Sequence, residues 1–173
     1  GGGSPSTLTA GPPASVTATA GESFDEVIAP FDDSAPSTRA FAFAASVDWG
    51  DGSADSATTV TGPDGGPFEI HGTHVYSRPG TYALTIDVIA RSGDSITLIG
   101  SASVANVTLG ALPAHDANFT AGAPSRQSLA EFSDPNPTDA EASFTATVDW
   151  GDGTSGAAIV LGPPGGPFSV NCE

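Results

Sequence analysis

Apolar residues alternate with small or polar residues along several short segments of the chain. Between positions 41 and 49 the apolar face comprises Phe41, Phe43, Ala45, Val47 and Trp49. Between positions 82 and 90 it comprises Tyr82, Leu84, Ile86, Val88 and Ala90. A period of two is typical of half-buried β-strands, and the intervening Asp-Gly, Pro-Gly and Ser-Gly pairs are typical of turns. The pattern therefore predicts an all-β chain of the sandwich class.

The pattern occurs twice. Residues 47–52 (VDWGDG) recur as residues 148–153, and residues 65–68 (GGPF) recur as residues 165–168. The copies are unequal, because nothing repeats the stretch 74–108. We predict an N-terminal extension at 1–7, a complete repeat at 8–108, and a partial second repeat at 109–173 that lacks its C-terminal strands.

The composition excludes some classes of binding partner. The 173 residues include 20 acidic and 4 basic side chains, a net charge of −16, with no lysine and one cysteine. Such a polyanion lacks the basic footprint that nucleic acid or an anionic membrane surface requires. No stretch reaches the roughly 18 apolar residues of a membrane span, so we expect no membrane insertion. An acidic, lysine-free chain rich in Thr, Ser and Gly suggests export, and we expect an extracellular or cell-surface location.

Two sequence blocks of the first repeat form a motif. The first ends a strand in the tight turn WGDG. The second, HVYSRPGTY, starts at His74, contains a Pro79-Gly80 pair suited to a type II turn, and runs into the next strand. Tyr76 suits ring burial with its hydroxyl bonded to backbone. We take these motif residues to define the fold: Trp49, Asp51, His74, Tyr76, Pro79, Gly80, Tyr82, and in the second copy Trp150 and Asp152.

On these residues the chain resembles the PKD family, the immunoglobulin-like sandwiches of extracellular proteins. It is similar in particular to the tandem PKD-like repeats of large bacterial secreted and surface proteins. The resemblance implies immunoglobulin-like (PKD-type) β-sandwich repeats, the second incomplete. It also implies a role as a spacer, a stalk or an adhesive or contacting module, without catalysis.

The chain offers little to support an enzyme. Gly93-Asp94-Ser95 superficially resembles the serine motif of one esterase class, but it lies where a turn between two strands is expected. A nucleophile needs a base that a third group positions, and no histidine occupies a matching place. We therefore predict no enzymatic activity and interpret His71, His74 and His115 as core or surface residues.

Two groups of oxygen-bearing side chains are candidate calcium ligands. The first group comprises Asp25, Asp32 and Asp33, with Glu26 nearby, and the second comprises Asp134, Asn136 and Asp139, with Glu141 nearby. Hard oxygen ligands on loops suit Ca²⁺, which would stiffen the junction between repeats. The alternative is that these are solvated acidic loops that confer solubility. We expect no other cofactor.

Three further residues are candidate modification sites. Asn106 and Asn118 each begin an Asn-x-Thr sequon, whereas Asn136 precedes proline and is excluded. Cys172 is either a partner in an intermolecular disulfide or an unpaired thiol.

The incomplete second repeat leads to the functional hypotheses. Half a sandwich exposes edge strands and an inner face that carries Phe144, Val148 and Trp150. One hypothesis is that a neighbouring copy completes it with the extended stretch 6–19, which would build a head-to-tail filament. The other is that further repeats of a longer parent chain supply the strands.

Either hypothesis predicts a non-catalytic structural module of an extracellular bacterial stalk, adhesin or filament. Its partners would be copies of itself or further repeats. The alternative is a protein- or glycan-binding accessory module of an exported hydrolase, with glycans or surface proteins as partners. An aromatic side chain exposed beside polar residues on a sheet face would favour that alternative.

Overall fold

The computed structural model of the chain describes residues 6–172, and within that range it is all-β with no α-helix. The chain divides into two compact units, Gly1–Asn106 and Val107–Glu173. This division falls two residues before the predicted repeat boundary at 108. Of the predicted extension 1–7, residues 1–5 lie outside the described range. Thr7 is tied to Ser34, because its backbone N–H donates to Oγ of Ser34 at 2.8 Å.

Nine strands are present in the described part of the first unit, residues 6–106. They are β1 (Leu8–Ala10), β2 (Ala14–Thr19), β3 (Ser23–Asp33), β4 (Phe43–Asp48), β5 (Ser56–Ala57), β6 (Thr59–Thr61), β7 (Phe68–Val75), β8 (Gly80–Ala90) and β9 (Ser95–Ala105). One sheet has the order β1-β3-β7-β6 and the other the order β2-β9-β8-β4-β5. All neighbours are antiparallel except β2 and β9, which are parallel. The two sheets enclose one buried core in a sandwich-like arrangement.

The predicted alternation fixes which residues enter this core. Along β8, Leu84, Ile86 and Val88 are buried, and the residues between them are exposed. Along β4 the same holds for Phe43, Ala45 and Val47. The prediction for Phe41 is wrong: its side chain is 63% exposed. A short 3₁₀ turn, Ala40–Ala42, interrupts the alternation there, and the guanidinium of Arg91 lies 5.4 Å from the centre of the Phe41 ring.

In the second unit, residues 107–172 form one five-stranded sheet. Its strands are β10 (Gly110–Ala111), β11 (Ser128–Ser133), β12 (Ala146–Asp149), β13 (Ser155–Leu161) and β14 (Phe168–Asn171), in the order β10-β11-β14-β13-β12. By the repeat alignment β10, β11, β12 and β14 match β1, β3, β4 and β7, and β13 spans the positions of β5 and β6. No strand among the described residues matches β2, β8 or β9.

The same phenylalanine cluster marks the core of both units. In the first unit, Phe31, Phe43 and Phe68 have ring centroids 5.0, 5.3 and 4.8 Å apart. The corresponding distances in the second unit are 5.1, 5.3 and 4.7 Å, among the residues Phe132, Phe144 and Phe168. The two units therefore share their local packing at this end, although the second has fewer strands.

In the second unit, the stretch that matches β2 is not a strand. In the first unit β2 pairs only with β9. Residues 115–120, which align with 14–19, have no such neighbour and carry no regular structure. None of the helical segments in the part of the chain described here is long and apolar enough to cross a membrane.

Candidate functional site

The turn after β4 places the first motif. The backbone N–H of Gly50 donates to Oδ1 of Asp48 at 2.8 Å, and Oδ1 of Asp51 accepts from the backbone N–H of Ser53 at 3.0 Å and from its hydroxyl at 2.6 Å. Gly50 has a φ of +74°, and a Cβ at this position would collide with the backbone oxygen of Ala83 on β8. The glycine is thus required both by its conformation and by the close approach of β8.

His74 joins this turn to the tryptophan. Its ring stacks on the Trp49 indole with centroids 4.7 Å apart and planes 5° from parallel. Its Nε2 lies 2.8 Å from Oδ2 of Asp51, and both side chains are only 13% exposed. Phe24 completes the packing, with its ring edge-to-face on Trp49 at 5.6 Å. Trp49, Asp51, His74 and Phe24 therefore pack together in one largely buried cluster.

Two tyrosines close the cluster. The buried Tyr76 donates its hydroxyl to the backbone oxygen of Trp49 at 3.1 Å, as the sequence predicted for a backbone bond. Tyr82 stacks on Tyr76 at 4.5 Å and donates to the backbone oxygen of Arg78 at 2.9 Å. The predicted type II turn is wrong: Gly80 has a φ of +150° and already pairs with Val104 as the first residue of β8, so Pro79 precedes the strand directly.

Burial and hydrogen bonding shift the pKa of Asp51, the acidic residue of this cluster, in opposite directions. Burial raises the pKa of Asp51, but the hydrogen bonds from Ser53 and His74 outweigh it, so the pKa lies below the usual value for Asp. Burial, followed by the nearby Asp51 carboxylate, raises the pKa of Tyr76. Both shifts favour the ionisation states that the cluster's hydrogen bonds require.

In the second copy of the motif, the tryptophan is exposed to solvent. Trp150 is 43% exposed, whereas the matching Trp49 is 0% exposed. Asp152 repeats the turn: its Oδ1 accepts from the backbone N–H of Thr154 at 2.9 Å and from its hydroxyl at 2.5 Å, and these bonds lower the pKa of Asp152. The prediction that the inner face of the partial repeat is exposed at Trp150 is confirmed.

A notch of about 400 Å³ surrounds this exposed indole, and we call it the Trp150 notch. Its lining residues are Phe119, Ala123, Pro124, Ser125, Trp150, Asp152, Thr154 and Cys172. Phe119 is 48% exposed and packs edge-to-face on Trp150 with centroids 5.8 Å apart at 88°. The notch combines two aromatic rings with a carboxylate and a hydroxyl.

The repeat alignment explains how the notch differs from the buried cluster. Ser125 replaces Phe24, and Phe119 replaces Ala18, so the ring that packs edge-to-face on the tryptophan comes from a different position, which in the second unit lies outside any strand. A large and a small residue have thus exchanged places between the two copies. Sequence reasoning missed Phe119 and Ser125, although aligning the two copies residue by residue would have shown the exchange.

Cys172 is the third difference, because it stands where the first repeat has Gly72. A Cβ at Gly72 would lie 2.8 Å from Cη2 of Trp49. The Cys172 thiol is free and buried, with Sγ 3.5 Å from the backbone oxygen of Ser125 and 3.6 Å from that of Gln127. An intermolecular disulfide stays a prediction, and it would require this thiol to become exposed.

The candidate calcium ligands fall into two different arrangements. Asp25 lies at the exposed outer face of β3 opposite Thr73, away from the end of the strand where Asp33 is buried and Asp32 is exposed. Glu26 is exposed, two residues before the bulge of β3. Within residues 6–172 no three His, Cys, Asp or Glu side chains are grouped so as to hold a metal ion. Calcium stays a prediction, which thermal stability with and without a chelator would test.

In the second group of candidate calcium ligands, Asp134, Asn136 and Asp139 contact one another. The backbone N–H of Asn136 donates to Oδ1 of Asp134 at 2.9 Å, and its Nδ2 lies 3.3 Å from Oδ2 of Asp139. Burial and a hydrogen bond with Asp134 raise the pKa of Asp139. Glu141 lies apart and accepts from the backbone N–H of Gly162 at 3.4 Å. Asp134 and Asp139 therefore form a carboxyl pair that Asn136 contacts from both sides, through its backbone N–H and its side-chain amide.

The remaining candidates lie on the surface. Asn106 and Asn118 are both exposed, and the backbone of Asn118 is held by the Gln127 amide at 2.7 and 3.2 Å. His71 contacts the Thr61 hydroxyl at 3.1 Å, and His115 lies 3.4 Å from Glu131. N-glycosylation stays a prediction at both asparagines.

Comparison with known proteins adds no relative. No family model matches the chain, and no curated protein matches it. Neither comparison assigns the chain to a family.

Proposed function

We propose that the chain is a non-catalytic structural module of an extracellular bacterial stalk, adhesin or filament. Its units would be PKD-type, immunoglobulin-like sandwiches, the second of which is completed by strands from another polypeptide segment. The strongly acidic, lysine-free composition supports an exported module that resists nonspecific association. The all-β architecture with a repeated core supports a building block that is used in series.

The observation that carries the proposal is the unequal burial of matched residues. In the first unit β4 pairs with β5 on one side and with β8 on the other. In the second unit β12 pairs with β13 alone among the described strands. Val148 is half-buried and Trp150 43% exposed, whereas their counterparts Val47 and Trp49 are 0% exposed.

An added strand would satisfy both deficits at once. Pairing along β12 would give hydrogen-bond partners to its open edge, which is the mode of β-strand addition. It would also remove apolar side chains from water, at roughly 1.5–3 kcal/mol for each fully buried large side chain. A head-to-tail arrangement of such contacts does not close on itself and so extends a filament.

The structure changes the expected donor. The stretch 6–19 was a candidate to complete a neighbouring copy, but its strands β1 and β2 pair with β3 and β9 in their own unit. Donating them would open the core of the first unit. A segment of a further repeat, or an unpaired strand of another molecule, would pair with β12 without opening a folded core.

Association through the inner face is testable with a matched pair of variants. Val148→Asp places a charge on the inner face of β12, and Leu161→Asp places one at a residue of β13 that is 48% exposed. If a second copy supplies the strand, light scattering over a concentration series will show association in the wild type and in Leu161→Asp, and its loss in Val148→Asp. Circular dichroism controls for folding of each variant. A wild type that is monomeric at every concentration would contradict self-assembly, and the donor would have to be a further repeat.

The alternative function is a protein- or glycan-binding accessory module of an exported hydrolase. Trp150 and Phe119 favour it, because both are exposed beside Asp152 and Thr154. An aromatic face beside a carboxylate suits a sugar ring and its hydroxyl groups. Glycan-array binding that is lost in Trp150→Ala and kept in Ile159→Ala, a control 40% exposed, would support this alternative.

A further inference from the structure

We propose that the Trp150 notch is a histidine-binding subsite. The occupant we infer is an incoming β-strand segment with the sequence character of residues 74–90, whose leading imidazole stacks on Trp150 and binds Oδ2 of Asp152. This inference rests on the proposed function, since it names the chemistry of the strand that completes the second unit.

The first repeat shows how the subsite is filled. There the imidazole of His74 lies parallel to the Trp49 indole at 4.7 Å while its Nε2 reaches Oδ2 of Asp51 at 2.8 Å. One planar side chain thus makes both contacts. Two residues later Tyr76 donates its hydroxyl to the backbone oxygen of Trp49, and β8 then pairs along β4, from Thr85 opposite Asp48 to Ala90 opposite Phe43.

The second repeat keeps the receiving groups. Asp152 uses Oδ1 for Thr154 as Asp51 uses Oδ1 for Ser53, which leaves Oδ2 for a further donor. The Trp150 ring has Phe119 against it edge-to-face, as Trp49 has Phe24. The indole and the carboxylate that would contact the imidazole are therefore present in both repeats, although the phenylalanine that packs on the indole comes from a different position.

Cys172 lies beside the subsite. A Cβ at Gly72 would lie 2.8 Å from the Trp49 indole, and at the matching position Cys172 lines the same notch as Trp150. Its thiol lies against the backbone oxygens of Ser125 and Gln127. The Trp150 indole is 43% exposed in this notch, where an added side chain can reach it.

Charge favours the same occupant. Asp152 has a lowered pKa, so it is anionic at neutral pH, and a protonated imidazole would neutralise it in a chain of net charge −16. A folded copy of this chain is not the donor, because its own His74 is already bound to Asp51. The donor is a segment that has not folded into a repeat of its own.

A synthetic peptide with the sequence of residues 74–90 tests the proposal. It is added to the full chain, and the tryptophan emission is followed with Trp150→Phe as the reference that reports Trp49 alone. We expect a saturable blue shift that is absent from Trp150→Phe. We expect about tenfold weaker binding of a peptide carrying His74→Ala. Asp152→Asn should weaken the histidine peptide equally, whereas Asp116→Asn, an exposed charge control in the same unit, should not.

The outcomes separate the two proposals. If both peptides bind with equal affinity, the histidine subsite is overturned and strand completion stands. If neither peptide binds, strand completion by this kind of segment fails as well. If Asp152→Asn weakens both peptides alike, the carboxylate acts on the strand as a whole and the subsite is again overturned. Tighter binding at pH 6 than at pH 8, for the histidine peptide only, supports protonated imidazole as the bound form.

Discussion

At the scale of single residues, the two repeats provide internal controls for each other. Asp51 and Asp152 occupy the same turn, but only Asp51 has a histidine partner in the described chain. The difference isolates the contribution of the His74 contact from that of the turn itself.

We predict that Asp51→Asn destabilises the first unit by about 1–3 kcal/mol at neutral pH, because it weakens a hydrogen bond to a nearly buried carboxylate. Since the pKa of Asp51 is lowered on folding, this stability is present above the unfolded-state pKa of about 3.9. It is lost as the pH falls through the lower folded-state pKa. Urea unfolding at pH 7 and pH 3 measures both points.

Asp152→Asn is the matched control for this prediction. Its carboxylate accepts only the turn bonds from Thr154 that the described structure shows, so we expect a smaller loss of stability. Equal effects of the two substitutions at pH 7 would mean that the histidine contact contributes nothing and that the turn accounts for the whole loss.

In the carboxyl pair of the second unit, folding shifts a pKa in the opposite direction to that of Asp51. Burial and the neighbouring Asp134 raise the pKa of Asp139 on folding. The pair therefore contributes stability below the unfolded-state pKa and loses it as the pH rises through the raised folded-state pKa. We predict that Asp139→Asn raises the Tm of the second unit by a few degrees at pH 7 and leaves it nearly unchanged at pH 3.

Calorimetry with Asp116→Asn as the exposed control measures this effect. A lower Tm for Asp139→Asn at pH 7 that disappears when a chelator is added to both proteins would show that a bound cation stabilises the ionised pair. That result would favour the calcium hypothesis over a simple carboxyl pair.

At the scale of elements, the glycines of the two WGDG turns differ in their surroundings. Gly50 and Gly151 have φ values of +74° and +78°. A Cβ on Gly50 would collide with Ala83 of β8, whereas a Cβ on Gly151 meets no atom within 4 Å. The same backbone conformation is thus confined by a neighbouring strand in one unit and open in the other.

We predict that Gly50→Ala destabilises the first unit more than Gly151→Ala destabilises the second, because Gly151→Ala carries only the strain of a positive φ, about 1–2 kcal/mol. If a strand adds to β12 as β8 adds to β4, Gly151→Ala should also block binding of the 74–90 peptide. Titration of that variant measures the effect. Binding at wild-type affinity would mean that the peptide docks in a different register.

The sequence predicted the strands well wherever the packing of neighbouring strands buries the same side chains as the local alternation. The alternation along β4 and β8 is confirmed residue by residue, and the repeat correctly pairs Phe43 with Phe144. Phe41 was wrong because a 3₁₀ turn, which has no signal in a period of two, rotates its side chain outward. The Trp150 notch depends on packing between distant positions, and an alternation pattern carries no information on such contacts.

At the scale of the whole chain, the long segment before β11 has the features of a region that opens locally. Residues 112–127 contain no strand and include the exposed Leu112 and Phe119. Loops of this length without regular structure open readily and are preferred sites of proteolysis. In the first unit the matching stretch is held by pairing with β9, so its protection comes from a strand that the second unit's described part does not have.

We predict that thermolysin, which cleaves before large apolar residues, cuts first at Phe119 and leaves the first unit intact. Mass spectrometry over a time course identifies the cuts. Adding the 74–90 peptide should slow the cut at Phe119, because completion of the sandwich buries this ring beside Trp150. Early cuts within residues 14–105 would show that the first unit is the less stable one, and the idea of a stable sandwich that carries an unfinished partner would then have to be abandoned.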